Sequence, residues 1–161
     1  MSVYKVGAYV KLAKLWERRR SAAITYHNNY YKEKYKDNSE MELVDVYVDI
    51  TGNKNICKRP QMIRLLSDCR CGRINCIATQ TKAYLAANTE DLFFLLHYIS
   101  RLKNRIDIVT EDLQYNINTI VDAEQQRESL LKAAEKYIAV ESYRYSEWER
   151  SIVDALGNMN D

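Results

Sequence analysis

The chain has 161 residues, 47% hydrophobic and 29% charged, with only 4 Gly and 1 Pro. That suits one element-dense domain with a real core and excludes a disordered tail. A formal net charge of +2 does not identify a nucleic-acid binder, because that reading needs a concentrated basic face. No apolar run approaches the roughly 18–20 residues of a membrane span, and Lys5, Lys11 and Lys14 interrupt any signal-peptide core. The expectation is a cytoplasmic protein with reduced cysteines. Tyr is frequent, at 13 against 2 Phe, which suits half-buried faces where the ring is dry and the hydroxyl wet.

In chain order, Val3 to Leu12 reads as a short buried strand, with Val6, Ala8 and Val10 on one face and Tyr9 on the other. Lys14 to Arg20 is a charged stretch, and Ala22 to Lys36, free of Gly and Pro, is helical in composition. Leu43 to Ile50 is a second strand, rich in β-branched residues, and Thr51 to Lys58 is a loop. Pro60 opens a helix at its first turn, where a missing N–H costs nothing, and Gly72 ends it. Ile74 to Thr79 is a third strand. Asn88 or Thr89 caps a helix from Glu90 to Lys103, and Ile106 to Thr110 is a fourth strand.

Strands alternating with helices predict an α/β fold, a parallel sheet with helices on both faces. No glycine-rich phosphate loop follows the first strand, which speaks against nucleotide binding. From Thr119 to Leu156 there is neither Pro nor Gly, so this stretch is one long helix or two abutting ones, about 38 residues or roughly 57 Å. Leu131, Ala134, Ile138, Tyr145, Trp148, Ile152 and Ala155 follow steps of three and four that skip Glu141, a seam for another helix. The seam is read as an oligomer interface, the alternative being a helix folded back on its own core.

Cys57, Cys69, Cys71 and Cys76 are separated by 11, 1 and 4 residues, which is not the paired spacing of a zinc knuckle. They are read as small hydrophobes, with no metal and no cofactor. His97 sits in an apolar stretch (Phe93, Phe94, Leu95, Leu96) and reads as a packed residue.

Four segments carry a family resemblance. Ala-Tyr-Val-Lys-Leu-Ala (Ala8 to Ala13) resembles the opening Tyr-x-Arg-x-Ser of serine recombinases. Asn29 to Glu33 and then Glu42 to Asp49 are similar to that family's first helix and second strand. Arg59-Pro60-Gln61-Met62 falls where the family has its loop arginine and next helix. Gly72-Arg73-Ile74 through Asn88 to Leu92 resembles the third strand, catalytic loop and fourth helix. The segments are collinear over about residues 3 to 125, and they most resemble the resolvase/invertase-like recombinases of mobile elements in Gram-positive bacteria.

The resemblance implies a three-layer resolvase-like catalytic domain with a parallel central sheet and a long C-terminal helix. The implied organisation is residues 1–118 as core, 119–157 as the helix and 158–161 as a tail. The family chemistry is DNA transesterification: a serine hydroxyl attacks a phosphodiester while arginines stabilise the developing charge. Carried onto this chain, the nucleophile position is Ala13 and the arginine two residues before it is Lys11. The two arginine positions after the third strand fall on Tyr84 and Ala87, the neighbouring Ser or Asp on Ala83, and the first-helix glutamine on His27. Tyr9, Asp49 and Arg59 survive, and Thr51-Gly52 stands for the usual Ser-Gly.

The expectation is therefore a non-catalytic recombinase-like protein. It would assemble with itself or with an active recombinase through Leu131, Ala134, Ile138, Tyr145, Trp148 and Ile152, with no small-molecule substrate and no membrane partner. Two alternatives stay open: a recombinase domain with a rearranged site, and a DNA-binding accessory using Arg18, Arg19 and Arg20 on the phosphate backbone. Against the last stand Glu141, Glu147, Glu149 and Asp154, which make the distal helix a poor surface for phosphates. No helix-turn-helix or zinc ribbon is visible in the sequence, so sequence-specific targeting by the chain alone is not expected.

Overall fold

The structure, a computed structural model, describes residues 3–120 and 123–159. β1 (Tyr4–Leu12) leads through a 3-10 helix (Lys14–Arg19) into α1 (Arg20–Tyr35), then β2 (Met41–Ile50). A short 3-10 turn (Ile56–Lys58), α2 (Pro60–Arg70), β3 (Cys76–Thr79) and α3 (Lys82–Leu85) follow. Then come α4 (Thr89–Ser100), β4 (Asp107–Thr110), α5 (Ala123–Val140) and α6 (Ser142–Met159).

The four strands form one parallel sheet in the order β2-β1-β3-β4. The chain leaves β1 for one neighbour and returns across it to the other, so α1 and α2 lie on opposite faces. The period of two along each strand then builds two cores. Val6, Ala8, Val10, Val46, Val48 and Ala78 pack under Tyr31 and Tyr35 of α1. Tyr9, Tyr47 and Ile77 pack on the opposite side against Met62, Leu65 and Leu66 of α2 and Leu95 of α4. The α/β architecture, a parallel sheet covered on both faces, is the one the alternation of elements predicted.

The C-terminal stretch is two abutting helices rather than one continuous one. Residues 117–120 run beside β4, where the Thr119 N–H donates to Ile108 O at 3.0 Å and its hydroxyl to Asp107 at 2.7 Å. The described helix thus begins at Ala123 and not at residue 119. It breaks at Glu141, and α6 continues through Gly157 to Met159. The last residues of the expected tail, 160–161, lie outside the described residues. α5 packs on α4, and α6 packs on α2, α4 and the 3-10 turn. Both sides of the break are pinned to the first turn of α4: the Tyr137 hydroxyl and the Arg144 guanidinium each bond the Glu90 carboxylate.

The seam read from the sequence is consequently filled by the chain's own core. Ala134, Ile138, Tyr145 and Ile152 are buried, with Leu131, Trp148 and Ala155 half-buried. Phe94 of α4 sits 5.4 Å from the Tyr145 ring and 5.9 Å from Trp148. His97 meets Tyr145 edge-on at 4.9 Å, a packed residue.

A β-bulge between Val6 and Gly7 leaves Val44 of β2 without a partner on β1. Gly7 is required there by packing: a Cβ would stand 2.8 Å from Leu65 Cδ1 and 3.1 Å from Tyr47 Cε1. Gly7→Ala should therefore cost ~1–3 kcal/mol by overpacking, read as a lower urea midpoint with an unchanged slope. Gly52→Ala, where an added Cβ meets nothing within 4 Å, should leave the midpoint in place. Equal midpoints for the two variants would contradict this packing account.

Candidate functional site

In an open parallel sheet, ligands bind beyond the carboxyl ends of the strands, where the chain's direction of travel reverses. Here the reversal lies between β1 and β3. The residues singled out from the sequence converge on that end of the sheet. Lys11 and Ala13 close β1, Asp49 closes β2, Arg59 precedes α2, and Ala83 and Tyr84 belong to α3. Ala87 lies in the segment before α4.

Asp49 and Arg59 organise this end. The Asp49 carboxylate accepts from the Tyr9 hydroxyl at 2.8 Å and from the Gln61 and Met62 N–H groups at 2.9 Å each. It therefore caps the N-terminus of α2, where free amides and the helix dipole favour an anion. Arg59 is 1% exposed. Its Nη1 donates to the carbonyls of Tyr84 at 2.8 Å and Leu85 at 3.2 Å. Nη2 donates to Lys54 O at 3.0 Å and Nε to Asn53 O at 3.2 Å. The guanidinium thus ties the loop after β2 to α3, and its fork faces backbone.

Two hydroxyls near this end, those of Tyr9 and Thr81, are committed. Burial, reinforced by the Asp49 carboxylate, pushes the Tyr9 phenol far above its ordinary value, so Tyr9 is a protonated donor and not a nucleophile. The Thr81 hydroxyl donates to Asp112 at 2.7 Å and accepts from Ala83 N–H at 3.2 Å, capping α3. Its carboxylate partner is a weak base, held below the usual range by the Lys82 N–H and the Thr81 and Thr110 hydroxyls, against an opposing effect of burial. The Ala13 methyl is exposed at the entry to the 3-10 helix, and its carbonyl accepts from Trp16 N–H at 3.0 Å. Ala83 and Ala87 are exposed, while Tyr84 is half-buried between the two cores.

Lys11 is aligned with Asp49 across β1 and β2. Burial lowers its pKa first and repulsion from Arg59 and Lys54 lowers it further, against the pull of Asp49. His27 lies on the buried face of α1, with Nδ1 lacking a hydrogen-bond partner, and burial lowers its pKa. It is a neutral packed side chain at pH 7.

Arg18, Arg19 and Arg20 are exposed. Arg20 is engaged by Glu17 at 2.7 and 3.2 Å. Sequence reading missed that the stretch is helical and that Leu15 and Trp16 project into solvent from it. The available signal was a Leu-Trp pair followed only by charged residues at helical spacing, Arg18, Arg19 and Arg20. Cys69 and Cys76 are buried, and burial raises both thiols, Cys76 to about 12. Among the described residues no three His, Cys, Asp or Glu side chains converge as a metal site, and no helix is long and apolar enough to cross a membrane.

The crystal structure of the N-terminal catalytic domain of TP901-1 integrase is similar to this chain, with a TM-score of 0.59 at 19% identity, over 85% of this chain and 98% of that one. At that identity the likeness establishes the fold: this is the fold of a serine recombinase catalytic domain. The C-terminal catalytic domain of ISC1926 TnpA, an IS607-like serine recombinase, is similar at a TM-score of 0.47 and 12% identity, over 84% of this chain and 99% of that one. No protein-family model and no curated protein matches the sequence.

Arg59→Met removes the buried charge but strands the four carbonyls that it bonds. It should cost about 3 kcal/mol or more. Arg59→Lys should recover little, because one ammonium cannot reach the carbonyls of both the loop after β2 and α3. Thermal unfolding of both variants checks this, and a near-native melting temperature for Arg59→Lys would contradict the role of the fork.

Proposed function

We propose that this chain is a serine-recombinase-like protein that does not transfer DNA strands and acts by protein–protein contact, with a second copy or with an active recombinase. The observation that carries the reading is the state of the crevice. Strand transfer needs a hydroxyl oxygen to attack phosphorus and free guanidiniums to hold the non-bridging oxygens. Ala13 offers a methyl, Tyr84 and Ala87 offer no charge, and four of the five Arg59 N–H donors are spent on carbonyls. Each missing donor is worth about 10²–10³ in rate, and a missing nucleophile removes the covalent route outright.

Association through the α5–α6 seam has a specific requirement. The seam is filled within one chain, so a partner can use it only if α5 and α6 are exchanged between chains. A specific observation also supports a second reading, contact with a nucleic-acid backbone: Lys14, Arg18 and Arg19 stand exposed beside the crevice.

Incubation with labelled genomic DNA, followed by detergent denaturation and precipitation of protein-linked DNA, should give no covalent adduct. Ala13→Ser alone should also give none, since Tyr84 and Ala87 remain. An adduct with the unaltered chain would end the non-catalytic reading.

Light scattering at rising concentration, alone and with a recombinase from the same genome, should show a dimer or a mixed complex. Labelled and unlabelled chains should mix slowly, as exchange of packed helices demands. A strict monomer in both conditions would remove the association reading.

A further inference from the structure

The 3-10 helix Lys14–Arg19 buries none of its residues. Leu15 is 73% exposed and Trp16 44% exposed, and Tyr26, on the adjoining α1, is 64% exposed. A single exposed Leu needs no explanation. A Leu-Trp pair on an element without buried residues, set among cations, does. Lys14, Arg18 and Arg19 are exposed around it, while the one acid of the helix, Glu17, is already neutralised by Arg20 at 2.7 Å. Beside it an open cleft of about 630 Å³ is lined by Lys14, Glu17, Ile50, Thr51, Gly52, Asn53 and Lys54. Its lining thus carries two lysines, Lys14 and Lys54, together with Gly52, which adds no side chain.

We propose that this element is a binding site for an unpaired nucleic-acid strand, with phosphates held by Lys14, Arg18, Arg19 and Lys54 and a base stacked on Trp16. The inference rests on the nucleic-acid reading given second above, and it narrows that reading from duplex backbone to single strand. The chemistry selects the occupant. The ligand must be polyanionic and must also offer flat apolar faces, and unpaired bases provide both. A duplex supplies the charge but hides its base faces in the stack. A membrane surface supplies the charge but asks for a broad apolar face to insert, whereas here two adjacent side chains project from six residues. An acidic peptide supplies charge without planar faces.

The test uses the full chain and fluorescein-labelled 20-mers of dT and of U, together with a duplex of equal length, followed by anisotropy at several salt concentrations. The strand should bind more tightly than the duplex, with affinity falling steeply as salt rises. The dT and U arms separate a DNA strand from an RNA strand. Trp16→Ala should weaken strand binding about tenfold or more, while Trp16→Phe, which keeps a ring, should restore most of it. Arg18→Glu with Arg19→Glu should abolish binding. Trp16 emission should be quenched by the strand, and that quench should vanish in Trp16→Ala. Trp16 lies on an element with no buried residue, so circular dichroism should confirm that the variant is folded.

Equal affinity for duplex and strand, with Trp16→Ala silent, would overturn the stacking inference and leave backbone contact standing. No binding to either would remove both. Binding to phosphatidylserine vesicles without binding to any oligonucleotide would reassign the patch to membranes and overturn the proposal.

Discussion

A guanidinium buried to 1% exposure must have its donors answered, because an unpaired charge in the interior costs far more than the fold has to spare. Arg59 meets that constraint with carbonyls from the loop after β2, residues 53–54, and from α3, residues 84–85. Asp49, ten residues before it, answers the free amides of α2 and the Tyr9 hydroxyl. The position of α2 over the sheet, the path of the loop after β2 and the seat of α3 all depend on these two side chains. So does the shape of the crevice beyond the strands.

The same arrangement separates scaffold from chemistry. Of the positions at which this chain agrees with the recombinase pattern, Tyr9, Asp49 and Arg59 are buried and satisfied within the protein. Of those at which it departs, Ala13, Ala83 and Ala87 are exposed, Lys11 and Tyr84 are half-buried and His27 is buried. Retention of the first group is accounted for by stability alone, since removing a buried hydrogen-bonded charge costs several kcal/mol. The presence of Asp49 and Arg59 is therefore no argument for catalysis. Tyr84, at a position where the resemblance would place a charged side chain, instead packs its ring between the two cores.

What was legible in the sequence followed from local rules. The period of two placed Val6, Ala8 and Val10 opposite Tyr9. Pro60 marked the first turn of α2, and Asn88 does cap α4, accepting from Asp91 N–H at 2.8 Å. The residues that the collinear motifs singled out lie at one end of the sheet because a parallel topology brings strand ends together. What stayed hidden needed tertiary partners. Nothing in the spacing around Arg59 reveals that its acceptors are carbonyls 5, 6, 25 and 26 residues away. Residues 119–120 were read into the C-terminal helix, yet Thr119 spends its hydroxyl on Asp107 beside β4. The break at Glu141 is likewise set by docking on α4, through Glu90 bonding Tyr137 and Arg144, in a stretch without Gly or Pro.

That docking decides how the C-terminal seam can serve two ends. The apolar stripe through Ile138, Tyr145 and Ile152 can be covered once, by the chain's own α2 and α4 or by the same surfaces of another chain. Ile152 and Leu156 are fully buried, and each such side chain is worth about 1.5–3 kcal/mol, so α6 does not leave its groove unless an equivalent groove receives it. Exchange restores every contact in the partner, including the Glu90 pins, and the enthalpic terms cancel. The balance between closed monomer and exchanged dimer is then left to concentration and to the entropy of the connection. A partner carrying the same fold but better complementarity along the seam would capture the helix pair from the monomer. On the proposed reading, this competition is the route by which the chain acts on an active recombinase of the same fold.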